Sequence, residues 1–292
     1  DITERKSAEQ KLKTFAEELE AKVKERTAAL KNSNEELKQT NMQLNQFAHV
    51  ASHDLQEPLR KIITFSSRLQ EQHTAGLPAE VKTYLNKIEG ASGRMRKLIE
   101  DLLNYSRLIS HEKLFAQTDL NETLKNVLND FELLIEQKEA KIKSDPLPVI
   151  EAIPLQMNQL FYNLISNALK FLKEDVPPVI SITSRKLSEK EIKKHPALLT
   201  PHSPGSPDKI WVAGSYVEII FQDNGIGFGQ EFAEKIFIIF QRLNQSSEYQ
   251  GTGIGLALAK KIAENHHGEI FAKAKVNEGV AFHVILPVQQ PR

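Results

Sequence analysis

Three short segments, far apart in the chain, carry the residues with the most chemical potential. His53 and Asp54, in Ala51-Ser52-His53-Asp54-Leu55-Gln56-Glu57-Pro58-Leu59-Arg60, put an imidazole beside a carboxylate. An acceptor at one ring nitrogen fixes the tautomer and turns the other nitrogen's lone pair outward, as a nucleophile or a base. Asn163 and Asn167 are four residues apart and would share one helix face. Their amide oxygens suit magnesium, which takes one or two protein ligands and fills its other positions with water and substrate phosphate. Lys170, three residues further on, would bring an ammonium to the same neighbourhood. The third segment has two parts. Asp223-Asn224-Gly225-Ile226-Gly227-Phe228 closes an apolar run, and Gly251-Thr252-Gly253-Ile254-Gly255-Leu256 opens a helical one. The Asp223 carboxylate can accept from an adenine amine, and Gly225 and Gly227 let a flat base approach the backbone. Glycine-loop amides at a helix start make an anion site. An imidazole nucleophile and a nucleotide pocket in one chain suggest phosphoryl transfer to the protein itself.

Each segment taken alone also has a plainer reading. His53 can be an ordinary surface histidine and Pro58 a simple kink, since proline lacks the N–H owed to the Asp54 carbonyl. His49 lies one turn before His53, the spacing of a helical two-histidine metal site, but a third ligand is missing. Asn163 and Asn167 can belong to a solvated face, beside Leu160, Leu164, Ile165 and Ala168, which pack a core. Asp-Asn-Gly is a strong turn sequence in its own right. The glycine run lacks the lysine that ends a P-loop and fits the dinucleotide fingerprint poorly.

The elements that would position these groups divide the chain in two. Residues 7 to about 50 contain no glycine or proline, and Ala16, Val23, Leu30, Leu37, Leu44 and Ala51 recur every seven residues. Leu12, Leu19 and Phe47 fit a second seam that Arg26, Ser33 and Thr40 interrupt. This predicts a long helix forming a parallel coiled coil of modest stability, with a solvated single helix as the alternative. The helical pattern continues to about Leu69 and breaks at Thr74-Ala75-Gly76-Leu77-Pro78. It resumes with Leu85, Ile88, Met95, Leu98, Leu102 and Tyr105 at threes and fours. A helical hairpin results, and pairing two of them as a four-helix bundle would bury the remaining apolar faces. After Ser110, helical stretches at about 119–137, 154–172, 230–240 and 253–267 alternate with β-branched runs at 179–183, 216–221, 269–272 and 280–285. That mixture predicts a two-layer α/β domain. The proline-, lysine- and histidine-rich stretch 185–215 reads as a long exposed loop between paired strands.

Lysine plus arginine equals aspartate plus glutamate, 38 each, so the charge balance makes no case for nucleic acid or an anionic membrane as partner. Cysteine is absent, which excludes disulfides and thiolate metal sites. No apolar run approaches the roughly 20 residues that span a bilayer. The expectation is a soluble, cytoplasmic piece of a longer protein, since the chain opens on Asp1-Ile2-Thr3-Glu4-Arg5-Lys6 rather than methionine.

In this order the segments resemble the sensor histidine kinases of two-component signalling. His53-Asp54 with Pro58 resembles the phosphoacceptor box, and Asn163 to Phe171 the asparagine box. Asp223 to Gly227 resembles the first glycine box, Phe237 to Phe240 the phenylalanine box, and Gly251 to Leu256 the second glycine box. Asp1 to Lys6 is similar to the segment closing a PAS sensor domain, and Asp-Leu-Gln-Glu-Pro-Leu-Arg resembles phytochrome-like members. The resemblance implies three parts: 1–46, a coiled-coil linker after a PAS sensor; 47–112, a dimeric hairpin carrying the phosphoacceptor; and 116–292, an ATP domain of the gyrase and heat-shock chaperone type.

It also implies site roles. His53 would be the phosphoacceptor, with Asp54 orienting and deprotonating it. Asn167 would hold magnesium, and Asn163 would lie near the phosphates. Lys170 would contact phosphate, Phe171 the nucleoside and Asp223 the adenine amine, with Gly225, Gly227, Gly251, Thr252, Gly253, Ile254, Gly255 and Leu256 completing the ATP pocket. Gln241 to Gln250 would form a lid. The implied partners are a second copy of the chain and a response-regulator receiver domain. The expected function is ATP-dependent autophosphorylation of His53 and transfer to a receiver aspartate; the alternative is a dimeric scaffold that binds nucleotide without turning it over. An ATPase doing mechanical work lacks a water-activating glutamate at Asn163. One position departs from the family: Glu57 stands where many members carry Thr or Asn to orient a water for dephosphorylation. A carboxylate there would repel aspartyl-phosphate.

Overall fold

The structure, a computed structural model, describes residues 2–73, 78–110, 114–174, 176–195, 198, 216–243 and 251–290. Within these, the side chains of 2–9, 11–12, 37–51, 53, 72–73 and 106–110 are outside the description. The chain divides into two compact units, Asp1–Asp54 and Leu55–Arg292.

The described residues of the first unit are all helical and belong to α1 (Ile2–His73). Its heptad residues Val23 and Leu30, and Leu19 of the second seam, are more than half exposed. Among the described residues, a single copy therefore leaves this apolar stripe without cover. The expected seam positions Leu12, Leu37, Leu44 and Phe47 are outside the described side chains.

The second unit begins with the remainder of α1, which stays helical through Pro58. The α2 helix (Ala79–Ser110) runs back alongside it. Two polar rungs tie the pair near the turn: Ser67 Oγ donates to Glu89 Oε1 at 2.9 Å, and Gln70 Nε2 donates to Asn86 Oδ1 at 2.8 Å. Leu59, Leu85 and Leu103 are buried, but Leu55, Ile62, Phe65, Leu69, Tyr84, Ile88 and Met95 stay exposed.

The α/β part opens with β1 (Ala116–Asp119), α3 (Leu120–Asp130), α4 (Glu132–Gln137), β2 (Lys141–Ser144), β3 (Val149–Ala152) and α5 (Pro154–Lys170). It continues with β4 (Val179–Lys186), α6 (Glu189–Ile192), β5 (Tyr216–Asp223), α7 (Gly255–Asn265), β6 (Glu269–Lys275) and β7 (Gly279–Pro287). Asp119 caps α3 through the Asn121 N–H at 2.8 Å. Five strands form one sheet in the order β2-β4-β5-β7-β6, with β2–β4 parallel and the other pairs antiparallel. β1 and β3 pair separately.

Strand alternation sets the two faces. Ile180 and Ile182, Val217, Ile219 and Phe221, and Phe282, Val284 and Leu286 face α3, α5 and α7 in one core. Phe161 of α5 meets Phe221 edge to face at 4.9 Å. By the same parity Asp223, the last residue of β5, falls on the helix-covered side.

Two expectations need correction. Residues 230–240 are not a helix: Gln230–Phe232 and Lys235–Phe237 are single 3-10 turns, and Phe240 has a positive φ of 66°. Its N–H donates to the Gly253 carbonyl at 3.0 Å, and that long-range bond overrides the local helical pattern. The stretch 185–215 does connect paired strands, but its described part is not an exposed loop. Leu187, Ile192 and Leu198 pack with Tyr216 and Ile285 as a second small core on the sheet's other face. Arg185 pairs there with Glu191 and with Glu218, the latter at 2.6 Å, and Glu218 also bonds His283 Nδ1 at 2.7 Å. His195 Nδ1 meets Glu269 at 2.8 Å. Residues 196–197 and 199–215 lie outside the described residues.

Candidate nucleotide-binding and phosphotransfer site

The pocket is built where α5, the end of β5 and the start of α7 meet. The helical phase of α5 turns Leu160, Phe161, Leu164, Ile165 and Ala168 into the core, so Asn163, Asn167 and Lys170 fall on its rim. Gln159 Nε2 donates to Asn163 Oδ1 at 3.3 Å, while buried Asn163 Nδ2 has no hydrogen-bond partner among the described residues. A buried donor without a partner costs about 1–3 kcal/mol, and an acceptor oxygen such as phosphate would satisfy it.

The glycine segments close on the asparagine segment from two sides. A Cβ on Gly225 would lie 2.1 Å from the Phe171 carbonyl oxygen, and that carbonyl accepts from the Ile226 N–H at 3.1 Å. A Cβ on Gly251 would lie 2.5 Å from Lys170 Nζ, and one on Gly255 would lie 3.4 Å from Asn163 Oδ1. Lys170 Nζ sits 4.6 Å from the centre of the Phe171 ring. Gly227 and Gly253 both adopt the left-handed conformation, at φ 59° and 73°, which side chains rarely reach. Asn224, read in sequence only as a turn residue, is a clasp: its Oδ1 accepts from Val179 N and its Nδ2 donates to Pro177 O.

Asp223 Oδ1 accepts from Gly225 N at 2.8 Å and from Val280 N at 3.3 Å. Burial raises the Asp223 pKa, and those two N–H groups partly offset the effect. The Lys170 pKa is lowered, by burial first and then by the nearby Arg242 charge. Nothing in the local sequence distinguishes Arg242. It follows the phenylalanine segment as one basic residue among many, and only its nearness to Lys170 marks it.

The sign of the Asp223 shift gives a prediction. An acid whose folded pKa is raised binds more protons folded than unfolded, so its ionisation lowers stability as pH rises through that range. Asp223→Asn should raise the melting temperature of the nucleotide-free protein at neutral pH. Were Asp223 to accept from an adenine amine, the same change would turn an amide N–H₂ toward it, and adenosine affinity should fall about tenfold or more. Calorimetric titration with adenosine checks this, and unchanged affinity would remove Asp223 from the base pocket.

Thr252 Oγ1 donates to Asp101 Oδ2 of α2 at 2.6 Å and accepts from Ile254 N at 3.4 Å. Asp101 also pairs with Lys97 at 3.3 Å, and Tyr105, one turn later, packs against the ATP-domain core. No local pattern in the sequence marks Asp101. Ile254 is fully buried and Leu256 half-buried, so both serve the packing of α7. Gln241, Arg242 and Leu243 of the expected lid are described, while 244–250 are not.

His53 lies on α1, and its side chain, like that of His49, is outside the described residues. The two-histidine metal reading therefore falls there too. Among the described residues no cluster of three His, Cys, Asp or Glu side chains is placed to hold a metal. Asp54 is exposed. Glu57 pairs with Lys61 at 3.0 Å on an exposed face, which tempers its charge.

Known proteins bear directly on this geometry. Residues 43–111 match the family model for the His Kinase A (phospho-acceptor) domain, and 152–290 match that for histidine kinase-, DNA gyrase B- and HSP90-like ATPases. The chain belongs to the sensor histidine kinases of two-component systems. Cyanobacterial phytochrome A of Nostoc sp. is 36% identical over 246 residues, covering 84% of this chain and 28% of that protein. Phytochrome-like protein Cph1 of Synechocystis sp. is 32% identical over 247 residues, covering 84% and 29%. The chain thus spans under a third of these relatives' length. In fold it is similar to full-length ShkA solved with AMPPNP, at TM-score 0.59 and 20% identity over 84% of this chain and 46% of that one. It is likewise similar to histidine kinase ThkA solved with the response regulator TrrA, at TM-score 0.53 and 21% identity over 85% and 64%. This sensor histidine kinase contains no helix, among the described residues, long and apolar enough to cross a membrane.

Proposed function

We propose that the chain is the catalytic core of an ATP-dependent protein-histidine kinase, with His53 as phosphoacceptor. The observation that carries this reading is the convergence of the asparagine segment and both glycine segments on one site, beside Asn163 Nδ2, a buried donor without a partner among the described residues. The limits proposed are 1–46 for the coiled-coil linker, 47–112 for the phosphoacceptor hairpin and 116–292 for the ATP domain. The start at 116 is supported by β1, which pairs with β3 of that domain.

In this reading Asp223 accepts from the adenine amine and Phe171 borders the nucleoside. Lys170, Thr252 and the amides of Gly251, Gly253 and Gly255 hold the phosphates. Asn163 and Asn167 offer amide groups to a magnesium–phosphate unit, with Asn167 as the direct ligand. Magnesium, when bound, supplies positive charge to a loose transition state. A ring nitrogen of His53 attacks the γ-phosphorus in line; the bond to the β–γ bridging oxygen breaks, and ADP leaves. Asp54 takes the proton from the ring. The phosphoryl group then passes to an aspartate of a receiver domain. The exposed apolar faces of α1 and α2 support a homodimer, in which a second copy covers them.

The test is incubation with γ-labelled ATP, with and without a magnesium chelator. Magnesium-dependent label that is acid-labile and base-stable is expected. Bound nucleotide without label would make the chain a scaffold, and released phosphate without label would make it an ATPase. Either outcome overturns the kinase reading.

A further inference from the structure

A threonine hydroxyl has one proton to donate. In the second glycine segment that proton goes to the hairpin, because Thr252 Oγ1 donates to Asp101 Oδ2 at 2.6 Å. The Asp101 side chain is only 14% exposed, so little water competes for it. Its carboxylate stands at the loop that opens α7, where backbone N–H groups and the helix dipole favour an anion. A nucleotide phosphate needs the same hydroxyl and the same field. Two anions cannot share one donor, and each repels the other.

We propose that Asp101 is a positioning residue on the hairpin that competes with the nucleotide's phosphates for the glycine loop. Seating the phosphate chain and freeing that loop from α2 are then one event. The inference rests on the nucleotide reading of the pocket. Two further contacts support it. Lys97, one turn before Asp101, holds the carboxylate at 3.3 Å, so Asp101 is not left without a partner when Thr252 turns away. Tyr105, one turn after, packs against the ATP-domain core. An apolar contact thus remains along α2 while the polar one exchanges. Coupling is reciprocal: whatever strengthens the Asp101–Thr252 bond weakens phosphate binding by the same factor.

The competition depends on phosphate, and that separates it from a structural role. Affinities for adenosine, ADP and a non-hydrolysable ATP analogue are measured by calorimetry on the whole chain and on its Asp101→Ala and Asp101→Asn variants. Asp101→Ala should tighten the triphosphate analogue about five- to tenfold, the size expected of one charge-assisted hydrogen bond, and leave adenosine unchanged. Asp101→Asn keeps an acceptor but loses the charge and should fall between. Equal affinities in all three proteins, or the same gain for adenosine as for the analogue, would overturn the proposal. Absence of nucleotide binding by the unaltered chain would instead overturn the reading of the pocket on which the proposal rests. Melting curves of both variants, expected to match the parent within about 3 °C, keep unfolding from standing in for either result.

Discussion

His53→Ala should lower acid-labile labelling from γ-labelled ATP by at least about a thousandfold, to background, while nucleotide affinity is kept. The two effects separate because the proposed nucleophile and the proposed nucleotide site come from different parts of the chain. His53 lies on α1, whereas the groups proposed around the nucleotide come from α5 and Phe171 after it, from the end of β5 with the glycines that follow, and from the loop opening α7. The proposed arrangement assigns no base or phosphate contact to residue 53, so binding has no reason to change. Alanine has the highest helix propensity, and α1 is helical on both sides of the position, so the backbone should tolerate it. Retained base-stable label in the variant would move the phosphoacceptor elsewhere. His49 is the first position to test then, because it lies one turn away on the same helix.

Gly225→Ala should abolish measurable nucleotide binding and cost about 1–3 kcal/mol of stability, the usual penalty for forcing a methyl group into filled space. The added Cβ would stand 2.1 Å from the Phe171 carbonyl oxygen and 2.9 Å from Asp223 Oδ1. Backbone has to move, and the 3.1 Å bond from Ile226 N to that same carbonyl is the first to yield. In the proposed pocket Phe171 and Asp223 border the nucleoside from different segments, so parting them spoils that pocket from both sides. Thermal melting and titration with an ATP analogue check the two halves of the expectation. A variant with parent affinity and melting temperature would show that the two segments do not approach as closely as the carbonyl contact requires.

The legible parts of this protein share a cause. Residues 216–221 and 280–285 were readable as strands because β-branched and aromatic residues run through them, and each is a central strand of the sheet. The hairpin was readable from apolar residues at threes and fours. β1, β2 and β3 were missed. Each has only four residues, and Ala116-Gln117-Thr118-Asp119 and Lys141-Ile142-Lys143-Ser144 are too polar and short to show alternation. The insert between β4 and β5 reads as exposed because it is rich in proline, lysine and histidine, and Leu187, Ile192 and Leu198 within it follow neither helix nor strand periodicity. They are buried by a surface, the sheet's second face, that exists only after the strands pair.

The site divides along the same line. By itself the sequence determined the reacting groups: an imidazole beside a carboxylate, amides and an ammonium on one helix face, an acid before two glycines and a glycine loop before a helix. Residue type and short spacing suffice for these, because helix and strand geometry act over a few residues. Only the tertiary structure decided which of these groups meet. It set the Phe171 carbonyl against Gly225, Lys170 across Gly251, Arg242 near Lys170, and Asp101 on Thr252 from 151 residues away. Contacts over such separations are fixed by packing of the α5–β5–α7 core, and no local pattern in the chain encodes them.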